Sequence, residues 1–240
     1  LGERDYSITS PPAIIGDTLV TGAFVIDAFD TDVPAGVVRA FNVRSGELRW
    51  AWNPVAPGRE PMNSDGNFVR GTTNVWSIIS VDESLNHVYV PTGNSSPDYY
   101  GGQREGHLDH YSSSIVALDA TSGEVAWHVR TVHHDIWDFD VPAQPSLVDV
   151  EIDGETIPAL VQVTKMGLTW VVDRRNGESI FGIEERPVPQ TGQVDGEYLN
   201  KTQPFPLKPE PLHPLHFGPD DAWGLTFWDR NVCRDKIAAL

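Results

Sequence analysis

Five ionisable side chains fall within eight positions in the segment TVHHDIWDFDVPAQP (131–145): His133, His134, Asp135, Asp138 and Asp140. Trp137, Phe139 and Val141 are interleaved with them. Carboxylates in a partly apolar setting have easily shifted proton affinities, and they serve as general bases or metal ligands. Turn-capping Asp residues and core histidines give the same composition, so the segment alone leaves both readings open. Adjacent residues point different ways in an extended chain. The pair His133 and His134 is therefore read as shaping the loop and not as a metal pair.

The elements that must position this loop repeat along the chain. VVRAFNVRSGELRW (37–50), SIVALDATSGEVAW (114–127) and LTWVVDRRNGESIF (168–181) share one pattern. Each has an apolar strand, an Asn or Asp, a turn ending in Gly, and a second strand ending in an aromatic. Asn42, Asp119 and Asp173 can accept hydrogen bonds from their own turn. Gly46, Gly123 and Gly177 supply the left-handed position, and the terminal aromatic is expected to pack between neighbouring sheets. The wide spacing of these three glycines suits propeller blades with long insertions. Further hairpins are expected at 13–25, 77–93 and 145–164, the last turning at Asp153-Gly154. The expectation is an all-β chain of three to four blades, with no amphipathic helix longer than two turns. Residues 186–219 carry eight prolines; because Pro is excluded from central strands, they are read as an irregular excursion. Phe205, Leu207, Phe217 and Trp223 are expected to pack it on the body.

Composition narrows the partners. The 240 residues carry 17 Lys+Arg against 34 Asp+Glu, a formal net charge of -17. Such a surface repels phosphate backbones and anionic lipid, which argues against a nucleic-acid partner. The single cysteine, Cys233, precludes an internal disulfide or a thiolate metal cluster.

The chain resembles the quinoprotein dehydrogenases that use pyrroloquinoline quinone (PQQ), most of all the membrane-bound glucose, quinate and polyol group. The likeness is carried by TSPP (9–12), TTNVWS (72–77), PTGNSSPDYYGG (91–102), HHDIWDFDVPAQP (133–145) and TKMGLTWVVDRRNGE (164–178). The HHDxWDxDxPAQP run is its specific part, since noncatalytic propellers share the TSGxxxW hairpins. The resemblance implies a partial eight-bladed β-propeller whose Trp residues dock on neighbouring blades. Propeller blades carrying the PQQ site are expected over 1–185, and a Pro-rich inter-blade excursion leading into the next blade of the same domain over 186–240.

The resemblance also implies roles. Asp138 matches the catalytic base that takes the substrate's hydroxyl proton. Lys165, further along the chain, matches a cation that touches the quinone oxygens, and Trp76 matches the indole floor beneath the planar cofactor. Thr9 matches a contact to a PQQ carboxylate. Asn94 and Asp27 match the oxygen ligands of a divalent metal, Ca²⁺ in the first place or Mg²⁺. Ser96 stands where the glucose enzymes have a hydroxyl ligand. Ala28, following Asp27, departs from the group's amide. Asp140 resembles an extra carboxylate found in lanthanide enzymes and in sugar enzymes alike.

The function so implied is oxidation of a sugar, polyol or cyclic hydroxy acid, with electrons passed through PQQ to a membrane quinone. The expected location is the periplasm, with the parent protein anchored by a membrane segment outside these residues. The competing reading is a noncatalytic scaffold like the outer-membrane assembly propellers. It would need no Trp76, Asn94, Asp138 and Lys165 constellation.

Overall fold

The computed structural model describes residues 5–239. Strand β1 (Tyr6–Ser7) comes first, followed by the hairpin β2 (Ala13–Ile15) and β3 (Thr18–Thr21). Next, β4 (Phe24–Val25) pairs back with β1, and β5 (Val38–Asn42) and β6 (Leu48–Trp52) complete an antiparallel sheet of order β2-β3-β5-β6. A second four-stranded sheet follows from β7 (Ser80–Asp82), β8 (His87–Pro91), β9 (Ser114–Asp119) and β10 (Val125–Arg130). The third blade has β11 (Ser146–Ile152), β12 (Glu155–Val163) and β13 (Thr169–Asp173), with a bridge from Val172 to Ser179 beginning its outer edge. A two-stranded ribbon, β14 (Ile183–Pro187) with β15 (Thr202–Pro206), comes next. This compact unit ends at Glu210, and a smaller one begins at Pro211 and contains the helix α1 (Phe227–Ala238).

The three closing hairpins are built alike, as expected. Asn42, Asp119 and Asp173 each accept a side-chain hydrogen bond from the backbone N–H two residues on, at 2.9 Å. The N–H of Gly46, Gly123 and Gly177 closes each turn at 2.8 Å, with φ of 73°, 76° and 76°. At 145–164 the turn is Asp153-Gly154, with both residues left-handed, as a tight hairpin requires.

Alternation along the second sheet separates two cores. Val88, Val90, Val116 and Leu118 face the first blade's Val20, Val38 and Ala40. Their neighbours Tyr89, Ile115 and Ala117 face the third blade's Leu160, Trp170 and Val172. A strand's period of two thus lets one sheet bury both faces. The terminal tryptophans lock the blades together. Trp50 donates its indole N–H to Ala120 O at 3.0 Å, and Trp127 donates to Arg174 O at 3.2 Å. Each lies on the turn glycine of the following blade.

Three expectations are corrected. Residues 183–206 form a paired ribbon despite their prolines. A two-stranded ribbon has no central strand, so Pro187, Pro204 and Pro206 leave no interior ladder unpaired. Phe217 and Trp223 are largely exposed. Lastly, α1 is a 12-residue helix; its apolar Phe227, Trp228 and Val232 are exposed, so no one-sided stripe announces it. Its start is capped, with Thr226 accepting from Asp229 N and the Asp229 carboxylate accepting from Thr226 N. No described helix is long and apolar enough to cross a membrane.

Candidate functional site

The loop 131–145 leaves β10 and returns to β11, pinned by two backbone bonds: Thr131 N to Ser113 O at 2.9 Å and Val141 N to Thr92 O at 3.1 Å. Inside it, His134 and Asp138 are held left-handed, with φ of 45° and 57°. Non-glycine residues adopt that conformation at a cost of about 1 kcal/mol, which the surroundings must offset, and such residues cluster at functional sites. Asp135 supplies much of the support. It is buried, its carboxylate accepts from Ser113 Oγ at 2.6 Å and Trp137 N at 2.9 Å, and its carbonyl accepts from Asn94 Nδ2 at 3.0 Å.

Four of the sequence-predicted residues converge here. The Lys165 ammonium lies 3.0 Å from Asp138 Oδ1 and also pairs closely with Asp140 Oδ1. The other oxygen of Asp140 accepts the Trp76 indole N–H at 2.7 Å, and Thr9 donates its hydroxyl to Trp76 O at 2.8 Å. Burial pushes the Asp140 carboxyl up to about 6 even though Lys165 and Trp76 hold its charge. Burial works against the Lys165 charge as well, but Asp140 and Asp138 outweigh it and hold its pKa above the ordinary lysine value. The result is a half-buried cation clamped between two carboxylates, one of which also holds the Trp76 indole N–H.

Asp27 lies against the same group. It is partly buried, and it accepts from Asn74 Nδ2 at 2.7 Å. Asp98, which sequence reasoning passed over, has its carboxyl within hydrogen-bonding reach of Asp27, and Asp98 N donates to Asp27 O at 3.1 Å. Burial, then the charges of Asp27, Asp138 and Asp140, push Asp98 up to about 8. Three buried oxygens in these segments have no hydrogen-bond partner: Asn74 Oδ1, Ser96 Oγ and Asp98 Oδ1. A hard divalent cation takes this kind of donor, carboxylate and neutral oxygen together. No group of three His, Cys, Asp or Glu side chains that could hold a metal is present among the described residues.

Asn94 is placed differently. Its Oδ1 already accepts from Ser95 N, Ser112 Oγ and Arg104 Nη1, each at 2.8 Å. Its amide N–H groups go to the carbonyls of Asp98 and Asp135. In this arrangement Asn94 ties the metal-candidate loop to the Asp138 loop.

His133 and His134 bind the ribbon. His133 Nε2 lies 2.8 Å from Glu185 Oε1, and Gln203 bonds both the N–H and the carbonyl of His133 at 2.8 Å. His134 is buried, with Asp109 Oδ2 2.7 Å from Nδ1, Glu197 Oε1 2.9 Å from Nε2, and the Tyr198 ring stacked at 3.7 Å.

The family of PQQ-dependent glucose/ethanol/alcohol dehydrogenase β-propeller domains matches residues 2–240. The chain belongs to this family. It is 43% identical to a quinoprotein glucose dehydrogenase of Escherichia coli strain K12 over 95% of its length, and 40% identical to a quinate/shikimate dehydrogenase (quinone) of Acinetobacter baylyi over 98%. It spans only 29% of the length of each. Among solved structures it is similar to the quinohemoprotein alcohol dehydrogenase of Comamonas testosteroni, with a TM-score of 0.64 and 25% identity. That match covers 84% of this chain and 31% of the other. The sheets described above are therefore blades of a family propeller, and the loops between them are where such folds carry their sites.

Proposed function

We propose that the protein to which these residues belong is a PQQ-dependent dehydrogenase oxidising an alcohol group of a sugar, polyol or cyclic hydroxy acid. The observation that carries this reading is the Lys165 ammonium held between Asp138 and Asp140, with Asp140 fixed on the Trp76 indole. PQQ supplies, when bound, the two-electron oxidising power that no side chain here has.

Every other step belongs to the chain. Asp138 accepts the hydroxyl proton of the substrate, and its left-handed backbone fixes where that carboxylate sits. Lys165 offers a positive charge to electronegative oxygens in a half-buried setting, where a charge acts more strongly than in water. Trp76 presents an aromatic face for a flat ring system, and Thr9 is bonded to the Trp76 backbone carbonyl. Asp27 and Asp98, with the unpartnered Ser96 and Asn74 oxygens, are the groups suited to Ca²⁺, or to Mg²⁺ with fewer protein ligands. Asn94 holds the two loops at a common spacing. We further assign the acceptor as a membrane quinone and the location as periplasmic, with the anchor outside these residues. The support for both is the likeness to the glucose and quinate enzymes.

The test uses the full-length protein supplied with PQQ and Ca²⁺, assayed by dye reduction with glucose, quinate and glycerol. Asp138→Asn is expected to abolish turnover while PQQ absorbance remains with the protein. Undiminished turnover in that variant would remove Asp138 as the base. An intact protein that takes up no PQQ would favour the scaffold.

A further inference from the structure

Beside the Asp138 loop lies a cavity of about 420 Å³, within the size range of small-molecule sites. One wall is Tyr99, Trp137 and Phe139; the other, from the ribbon β14–β15 and its connection, includes Val188, Leu199 and Phe205. Trp137 and Phe139 stack at 5.9 Å. The cavity adjoins the proposed reacting groups on three counts. Asp138 sits between Trp137 and Phe139 in the chain, and Met166, also in the lining, follows Lys165. Tyr99 lines the cavity while its hydroxyl is 3.5 Å from Asp138 Oδ2.

The polar groups of the lining are largely engaged elsewhere. Glu197 is held by His134 and by Gly101 N, and Gln203 has both ends of its amide on the His133 backbone. Thr191 and Gln193 remain, at the exposed edge. A fully hydroxylated ring entering such walls would leave buried hydroxyls without partners, which is costly. An apolar ring would lose only its contact with water.

We infer that this cavity is a specificity subsite for the apolar ring of a cyclic alcohol, whose carbinol group would lie toward Asp138. This rests on the preceding reading of the reacting groups and extends its substrate class, beyond sugars, polyols and cyclic hydroxy acids, to cyclic alcohols with an apolar ring. The carbinol would be oxidised to the carbonyl, its hydroxyl proton going to Asp138, with PQQ, when bound, as the two-electron oxidant that would take the hydride. The ribbon latched by His134 and Glu197 forms the far wall, so the class of ring is set by residues 188–205.

Cyclohexylmethanol against glucose is the direct comparison, because the two share a six-membered ring bearing a CH₂OH and differ in the polar ring oxygen and the other hydroxyls. In the cofactor-free protein, saturation-transfer NMR should show transfer to cyclohexylmethanol and none to glucose. Thr191→Trp, filling the cavity from its exposed edge, should abolish the transfer, and Leu199→Gln should weaken it. In the PQQ-loaded full-length protein, the kcat/KM ratio of cyclohexylmethanol over glucose should fall at least about tenfold in Thr191→Trp. Equal transfer to glucose, transfer that survives Thr191→Trp, or an unchanged ratio would overturn the subsite. So would inhibition by cyclohexylmethanol that competes with the quinone acceptor and not with glucose. A loaded protein inert toward every alcohol would refute the proposed activity, and the NMR measurement would still decide the cavity.

Discussion

Replacing Gly123 by Ala measures how strongly two blades are locked. A Cβ there would meet Trp50 Cδ2 and Cε3 at 2.6 Å, well inside van der Waals contact, and the residue has φ of 76°. Gly46 is the matched control, with φ of 73° and nothing within 4 Å of its Cβ position. Both substitutions carry the left-handed penalty of about 1–2 kcal/mol. Only Gly123→Ala also forces the Trp50 ring from its seat, an overpacking cost of about 1–3 kcal/mol. For a chain of this size that excess lowers Tm by roughly 2–12 °C beyond the control. The assay is thermal and urea unfolding of both variants, repeated with Trp50→Leu, where the ring is gone and the excess should vanish. Equal costs at Gly123 and Gly46, or an excess that persists with Trp50→Leu, would refute the docking argument.

Three further outcomes follow from the site. Asp140 titrates at about 6 when folded against an ordinary 3.8, so the folded chain holds this proton more tightly. The associated stability is complete below pH 3.8 and is lost as pH rises through about 6, by on the order of 3 kcal/mol. Urea midpoints at pH 4 and pH 7 should show that loss in the wild type and a flatter slope in Asp140→Asn. His134→Ala leaves the buried Glu197 carboxylate without its imidazole partner, a cost of about 3 kcal/mol; thermolysin should nick residues 188–201 faster, and unchanged nicking would show that the ribbon is held by other contacts. Lys165→Met strands the Asp140 carboxylate beside Asp138, so NMR titration should place Asp140 above about 6; an unmoved Asp140 would mean that Trp76 alone holds its charge.

The hairpins were legible in the sequence because their physics is local. An Asn or Asp accepting from its own turn, a left-handed glycine and a terminal aromatic all lie within a single strand–turn–strand run. The convergence of Asp138, Lys165, Trp76 and Thr9 was legible only through family likeness, because their contacts join segments far apart in the chain, as Thr9 and Trp76 are. Asp98 was passed over because nothing local distinguishes it from a turn-capping Asp before Tyr99-Tyr100; only burial beside Asp27 makes it unusual. The engagement of Asn94 by Ser95, Ser112 and Arg104 is likewise a tertiary fact. The ribbon at 183–206 was hidden by proline count, which forbids central strands and not isolated pairs. Helix α1 was hidden by its lack of a buried stripe, although Thr226 and Asp229 carried a legible cap.

The seating of each tryptophan on the next blade's glycine imposes an order on synthesis. Trp50 must wait for Gly123 to emerge from the ribosome, and Trp127 for Gly177. At the usual pace of translation, about 5–20 residues per second, these intervals are roughly 4–15 s and roughly 3–10 s. During each one a finished sheet carries an unseated indole and a half-covered apolar face. Nascent blades are thus kept waiting for their successors, and slow codons placed within residues 51–123 would lengthen the first exposure while leaving the mature protein unchanged.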